Sequence, residues 1–207
     1  LAWDAPGCGE SRCSDLTQVT IPFLVKTALE TLERLGFERF HLAGHAMGGL
    51  TALMLADARP DRVLSFTSIE GNLAPEDCFL SRQIVAYANP DPVRFLAEFE
   101  ERARRAPDFA SALFASSLPH KVRAEAVRPI FTSMVELSDH GGLMERFLRL
   151  PCPKMFMHGD QNRGLSYLSM LEREGVRRAE IPACGHFPMY SNPTAMWEAL
   201  ASFWGSE

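Results

Sequence analysis

Few side chains in this sequence are equipped to make or break bonds, and their positions narrow the chemistry open to them. The densest group is Gly44-His45-Ala46-Met47-Gly48-Gly49, which follows the apolar run Phe40-His41-Leu42-Ala43 and precedes a helix-forming stretch at residues 50–58. A chain that passes from strand to helix within so few residues must turn sharply, and glycine at 44 and 48 removes side chains that would strike neighbouring backbone. The first N–H groups of the following helix, with its dipole, favour negative charge developing at that turn. Downstream, His186 stands in the loop Pro182-Ala183-Cys184-Gly185-His186-Phe187-Pro188, and two carboxylates close strand-like runs: Glu70 after the uncharged residues 63–69, and Asp160 after His158-Gly159. A positioned imidazole with a carboxylate to orient it is the equipment of general acid–base catalysis. The other histidines (His41, His120, His140 and His158) show no metal-ligand spacing and are assigned structural or surface roles. Gly44 to Gly49 is not G-x-G-x-x-G, and no Gly-Lys-Ser/Thr follows a Gly-rich turn, so nucleotide binding drops out.

The elements that must position these groups alternate. Residues 1–4 read as a short strand stopped by Ala5-Pro6-Gly7-Cys8-Gly9. A helix follows, with Pro22 in its first turn, Leu24, Ala28, Leu32 and Leu35 at helical spacing, and Gly36 as a left-handed cap. Strands are expected at residues 40–43, 63–69, 154–158 and 178–181, and helices at 50–58, 165–173 and 194–204. Strand alternating with helix implies an α/β fold whose mostly parallel sheet carries helices on both faces. From residue 73 to 150 the rhythm changes to short amphipathic helices punctuated by Pro75, Pro90, Pro92, Pro107, Pro119 and Pro129. In that stretch Glu98, Glu100 and Glu101 stand four residues before Arg102, Arg104 and Arg105, the spacing of ion pairs on a solvated helix face.

Composition excludes several classes. The chain has 207 residues, is 46% apolar and 23% charged, and has 14 each of glycine and proline, which is ordinary for a globular protein and long enough to bury a sizeable core. The net charge of −5 leaves no basic field for nucleic acid or for an anionic membrane surface. The five scattered cysteines form no CxxC pair, so a disulfide framework and a zinc site are both disfavoured, and a reducing, cytoplasmic setting is expected. No apolar run approaches the length of a membrane span.

The segment from Phe40 to Gly49 resembles the nucleophile elbow of the α/β-hydrolase family, G-x-S-x-G. Two further segments fit. Asp4-Ala5-Pro6-Gly7-Cys8-Gly9-Glu10-Ser11 is similar to the family's D-x-P-G-x-G-x-S loop, and the 182–188 loop is similar to its catalytic-histidine loop. The resemblance implies an α/β-hydrolase core at residues 1–72 and 151–207, with residues 73–150 as a helical cap. It implies His186 as base, the Met47 N–H as an oxyanion donor, and His45 and Phe187 beside the substrate pocket. Phe79, Phe95, Phe99, Phe109, Phe114, Phe131, Met134, Met144 and Phe147 are taken as much of the cap's apolar face. For the acid, Glu70 is preferred to Asp160, because the position three after Gly159 that many members use holds Asn162. The family also carries strands before the D-x-P-G loop, so a preceding segment or partner chain is expected to complete the sheet.

One departure matters. The nucleophile position holds Ala46, which has no atom able to attack a carbonyl, and loss of the serine costs a related triad hydrolase on the order of 10⁶ in kcat. The resemblance implies a serine hydrolase of apolar carboxylic esters, lactones or thioesters that needs no cofactor and no metal, here inactive through a Ser→Ala replacement at 46. Two alternatives stand beside it: a natural non-catalytic protein that binds a small molecule, and a cofactor-free enzyme using His186 as a base without a covalent intermediate.

Overall fold

In the computed structural model, residues 1–89, 91–106 and 109–205 are described; Pro90 and Pro107 lie outside them. Among the described residues there are four strands in one sheet: β1 (Phe40–His45), β2 (Val63–Ile69), β3 (Lys154–Gly159) and β4 (Arg177–Ile181). They pair in sequence order, each parallel to the next. Parallel neighbours need crossovers, and the helices supply them. The crossover from β1 to β2 is α2 (Met47–Ala58), and α1 (Ile21–Arg34) precedes β1. Thr20 caps α1 by accepting from the Phe23 N–H at 3.3 Å, and Gly36, at φ 72°, ends it.

Between β2 and β3 run α3 (Phe79–Val85), α4 (Pro92–Arg104), α5 (Phe109–Lys121), α6 (Ala124–His140) and α7 (Leu143–Arg149). Then α8 (Leu168–Arg173) leads to β4, and α9 (Pro188–Ser191) and α10 (Pro193–Trp204) close the chain. The alternation of side chains along the strands sorts the core onto two faces. Phe66 and Phe156 join Leu50, Leu53, Phe147 and Leu171 on one side, while Met155, Met157 and Ile181 meet Met196, Leu200 and Phe203 of α10 on the other.

The register brings the carboxyl ends of the strands to one edge. His45 pairs with Ile69, Ile69 with Met157, and Gly159 with Ile181. Residues 46, 70, 160 and 182–186 therefore all leave the sheet at that edge, where parallel α/β sheets bind ligands.

Several expectations are corrected. Residues 1–5 form no strand; the 4–11 loop instead docks on the α5–α6 junction, with Gly9 N–H donating to the Lys121 carbonyl at 2.9 Å and Arg123 N–H to that of Gly7 at 2.9 Å. A lone apolar tetrapeptide becomes a strand only beside a partner ladder, and β1 shows alternately half-buried and exposed side chains with no strand on its outer edge among the described residues. Pro119 and Pro129 lie inside α5 and α6 rather than between helices. Glu98 turns back to Arg94 at 2.9 Å and accepts from the Tyr87 hydroxyl at 2.8 Å, whereas Glu100 and Glu101 do pair with Arg104 and Arg105. Phe79 and Phe109 are 73% and 63% exposed, so they pack neither core nor pocket. Phe147 and Met134 belong to the main core, where Phe147 meets Phe66 edge-on at 5.8 Å, while Ile84, Phe95 and Val127 form a separate cluster.

Candidate active site

The turn between β1 and α2 is as sharp as its glycines suggest. Ala46 takes φ 47° and ψ −116°, a conformation rare for any residue with a side chain. Its N–H donates to the Ile69 carbonyl at 3.1 Å, and its carbonyl accepts from Leu50 N–H at 3.0 Å, so the strained residue is held from both sides. A Cβ on Gly44 would lie 2.3 Å from the Gly48 carbonyl oxygen, which makes glycine obligatory at 44. Gly48 differs from expectation: a Cβ there meets nothing within 4 Å, and the crowded position is Gly49, whose Cβ would lie 2.7 Å from the Gly71 Cα. The need for glycine after the turn comes from the close pass of α2 against the β2 terminus, one residue later than the elbow pattern places it. Met47 opens α2, so its N–H is among the helix's first.

Across the same edge, Glu70 follows β2 at φ 44° and is 9% exposed. Its carboxylate is enclosed by donors. Oε1 accepts from Gly159 N–H and from the Asn162 side-chain amide, both at 2.8 Å; Oε2 accepts from the same Asn162 nitrogen and from His186 Nδ1, each at 2.8 Å. Burial opposes the charge, but the bonds from His186, Asn162 and Gly159 outweigh it and hold the carboxyl below the ordinary glutamate range. The ionised carboxylate fixes the His186 ring with its proton on Nδ1, leaving Nε2 as the basic nitrogen.

Asp160, the competing acid, does something else. Its two oxygens accept from the main-chain N–H groups of Ala183 and Cys184, each at 3.0 Å, and those bonds lower its pKa. Asp160 thus secures the turn that carries His186, whose Ala183 sits at φ 54°. The structure brings Glu70, not Asp160, to the imidazole.

His45 is half-buried and donates from Nε2 to the His186 main-chain carbonyl at 2.7 Å, so that nitrogen is engaged within the protein. Phe187 stacks on Phe114 of α5 at 4.6 Å between ring centroids and meets the His186 ring edge-on at 5.0 Å. An aromatic wall therefore reaches from the helical segment to the imidazole. Two surface hollows, one around Glu33, Arg59 and Arg62 and one around Glu10, His120 and Lys121, contain neither Ala46, Glu70 nor His186.

Asn162 and Phe114 were missed as participants by sequence reasoning. Asn162 carried a signal in its place three residues after Gly159; Phe114 carried none, being one of many phenylalanines at helical spacing. No group of three or more His, Cys, Asp or Glu among the described residues is arranged to hold a metal ion. No helix among them is long and apolar enough to cross a membrane.

Comparison with known proteins bears on the family and the fold. Over 82 residues the chain is 37% identical to RutD of Azorhizobium caulinodans, named as a candidate carbamate hydrolase, which covers 40% of this chain and 30% of that protein. Over 69 residues it is 41% identical to the dihydrolipoyllysine-residue acetyltransferase component of the acetoin cleaving system of Pseudomonas putida, covering 33% of this chain and 18% of that protein. The matches thus span less than a third of either relative. In three dimensions a thermophilic esterase from Thermogutta terrifontis superposes with a TM-score of 0.75 at 19% identity, covering 98% of this chain and 78% of that one. Residues 1–199 match the Alpha/beta hydrolase family, to which the chain belongs.

Proposed function

We propose that this chain carries the acyl-transfer apparatus of a serine hydrolase of carboxylic esters, lactones or thioesters, with the nucleophilic hydroxyl absent at Ala46. The observation that carries the proposal is the Glu70–His186 pair, 2.8 Å apart, at the same sheet edge as a residue held at φ 47° at a helix N-terminus. A residue held in that conformation projects its side chain from the turn, and a neighbouring base with a fixed tautomer can deprotonate a hydroxyl there. With serine at 46, Oγ attacks the substrate carbonyl while His186 Nε2 takes its proton. The Met47 N–H and the α2 dipole stabilise the oxyanion, and His186 passes the proton to the leaving oxygen, or to sulfur in a thioester, as its bond to the acyl carbon breaks. Water, deprotonated by the same nitrogen, then releases the acid. Glu70 holds the imidazole and balances its positive charge.

As it stands, the Ala46 form binds such a molecule without covalent turnover. Residues 73–150 serve as a cap over the core of residues 1–72 and 151–207, with Phe114 and Phe187 offering an apolar wall to an acyl chain or ring. The names borne by relatives and structural neighbours, carbamate hydrolase, acetyltransferase and esterase, all denote attack at an acyl carbon. The odd, scattered set of five cysteines with no CxxC pair supports a reducing, cytoplasmic setting.

The test is hydrolysis of a panel of nitrophenyl esters by A46S beside the parent. A burst followed by turnover in A46S, and labelling of A46S alone by a fluorophosphonate, is the expected result. Equal behaviour of the two proteins, with no adduct, refutes covalent serine catalysis; turnover at Ala46 that disappears in H186A favours the non-covalent use of His186.

A further inference from the structure

His45 stands at the end of β1, immediately before the nucleophile position, and the acyl-transfer scheme gives it no task. Its surroundings give it one. The Nε2 to His186 carbonyl bond of 2.7 Å joins residues 141 apart in sequence, and the two imidazoles lie 4.7 Å apart between centroids, tilted by 48°. Sheet order puts β1 and β4 at opposite ends, so the loop after β4 gains no ladder contact with the strand that carries residue 46. The His45 bond crosses that gap directly. Burial, and then the nearby His186, lower the pKa of His45 to about 4, which keeps the ring neutral near pH 7. A neutral ring whose Nε2 faces a carbonyl carries its proton there, as a donor.

The loop is thereby tied to the ends of three strands. Asp160 fixes the N–H groups of residues 183 and 184, Glu70 fixes the His186 ring at Nδ1, and His45 fixes the His186 main-chain carbonyl. The first two tie the loop to β2 and β3; the third ties it to β1. We infer that His45 is a positioning residue, which anchors the His186 main chain to the strand that leads into residue 46 and so sets the placement of the imidazole at that sheet edge. The inference rests on the acyl-transfer proposal for its catalytic meaning, though its structural content can be read without turnover.

Two measurements separate these layers. In the Ala46 chain, NMR of the hydrogen-bonded His186 Nδ1 proton reports ring placement, identified by its loss in E70Q. H45Q keeps an N–H at the reach of Nε2, H45F keeps the ring volume without the donor, and H45N shortens the reach should H45F fold poorly. The signal is expected to persist in H45Q and to broaden in H45F or H45N, with exchange against water about tenfold faster. In the A46S background, H45F or H45N is expected to lower kcat about tenfold with little change in KM, and H45Q to restore most of it. An unchanged Nδ1 proton and unchanged kcat in both H45F and H45N overturn the inference. If A46S has no esterase activity yet the proton still depends on the His45 donor, the anchor stands and acyl transfer falls.

Discussion

Glu70→Gln is the most informative single change, because the carboxylate's environment dictates both what is lost and how much. Each Glu70 oxygen accepts two contacts at 2.8 Å, from Gly159 N–H and Asn162 on Oε1 and from Asn162 and His186 on Oε2. A glutamine offers one accepting oxygen and one NH₂. Whichever way it is turned, the NH₂ confronts at least one buried donor, a cost of about 1–3 kcal/mol, and the remaining bonds lose the charge assistance that made them roughly twice as strong. About 2–4 kcal/mol of stability should go. At about 2–4 °C per kcal/mol for a chain of this size, the unfolding midpoint should fall by about 5–15 °C. In the A46S background the same change removes the group that holds the imidazole's tautomer, which in a related triad lowers kcat about 10⁴-fold. D160N serves as the contrast: it loosens the 183–184 turn and lowers the midpoint, but leaves the Glu70–His186 bond intact and kcat far less affected. Differential scanning fluorimetry and ester hydrolysis measure both. An E70Q midpoint within about 1 °C of the parent, or a kcat loss below about tenfold with D160N worse, would refute the assignment.

Other substitutions probe the same edge. A46G should raise stability by about 1 kcal/mol in chemical denaturation, because φ 47° with ψ −116° strains alanine more than the extra unfolded-state freedom of glycine costs. N162D should destabilise the fold near pH 7 by about 1–3 kcal/mol, since it sets a second carboxylate against Glu70; acidification, by letting the pair share a proton, should recover part of that loss. The parent should lose stability on acidification in two steps. His45, at about 4 when folded against an ordinary value of 6.5, binds its proton more readily when unfolded, so its contribution fades as pH falls from about 6.5 to 4. Glu70, whose folded pKa is lowered, contributes fully above its unfolded value and is lost only as pH drops through the folded one. Urea midpoints measured across that range should show the upper step disappear in H45Q and the lower step in E70Q.

Much of this was legible because local signals agreed with tertiary demands. Gly36 at φ 72° and the uncharged β2 behave as written, since capping and burial are decided within a few residues. Glu70 was readable because a carboxylate after an uncharged strand has to find donors, and Gly159 N–H and Asn162 provide them. What was not legible depends on neighbours distant in sequence. Whether residues 1–4 form a strand is decided by a partner ladder, and whether Glu98 turns toward Arg94 or Arg102 by the Tyr87 hydroxyl eleven residues earlier. The crowding at Gly49 arises from Gly71, which no spacing rule within the elbow contains. His45 illustrates the same limit: the pattern places it beside residue 46, but its partner, the His186 carbonyl, is known only once the sheet is closed.

The outer edge of β1 has a consequence for handling the protein. Its sequence, Phe-His-Leu-Ala-Gly-His, has no lysine, glutamate or proline, and its side chains alternate between half-buried and exposed before the turn. None of the devices that blunt a sheet margin is present on the strand itself, and among the described residues no neighbour occupies that side. Such a margin is a template: its amides can recruit any extended peptide in register. A preceding segment or partner chain that completes the sheet would take up these amides; where none does, self-association should be nucleated here, growing with concentration and carrying a cross-strand signature in the infrared. A peptide that pairs with β1 should act as a solubiliser, and because β1 leads straight into residue 46, the same docking would stiffen the elbow.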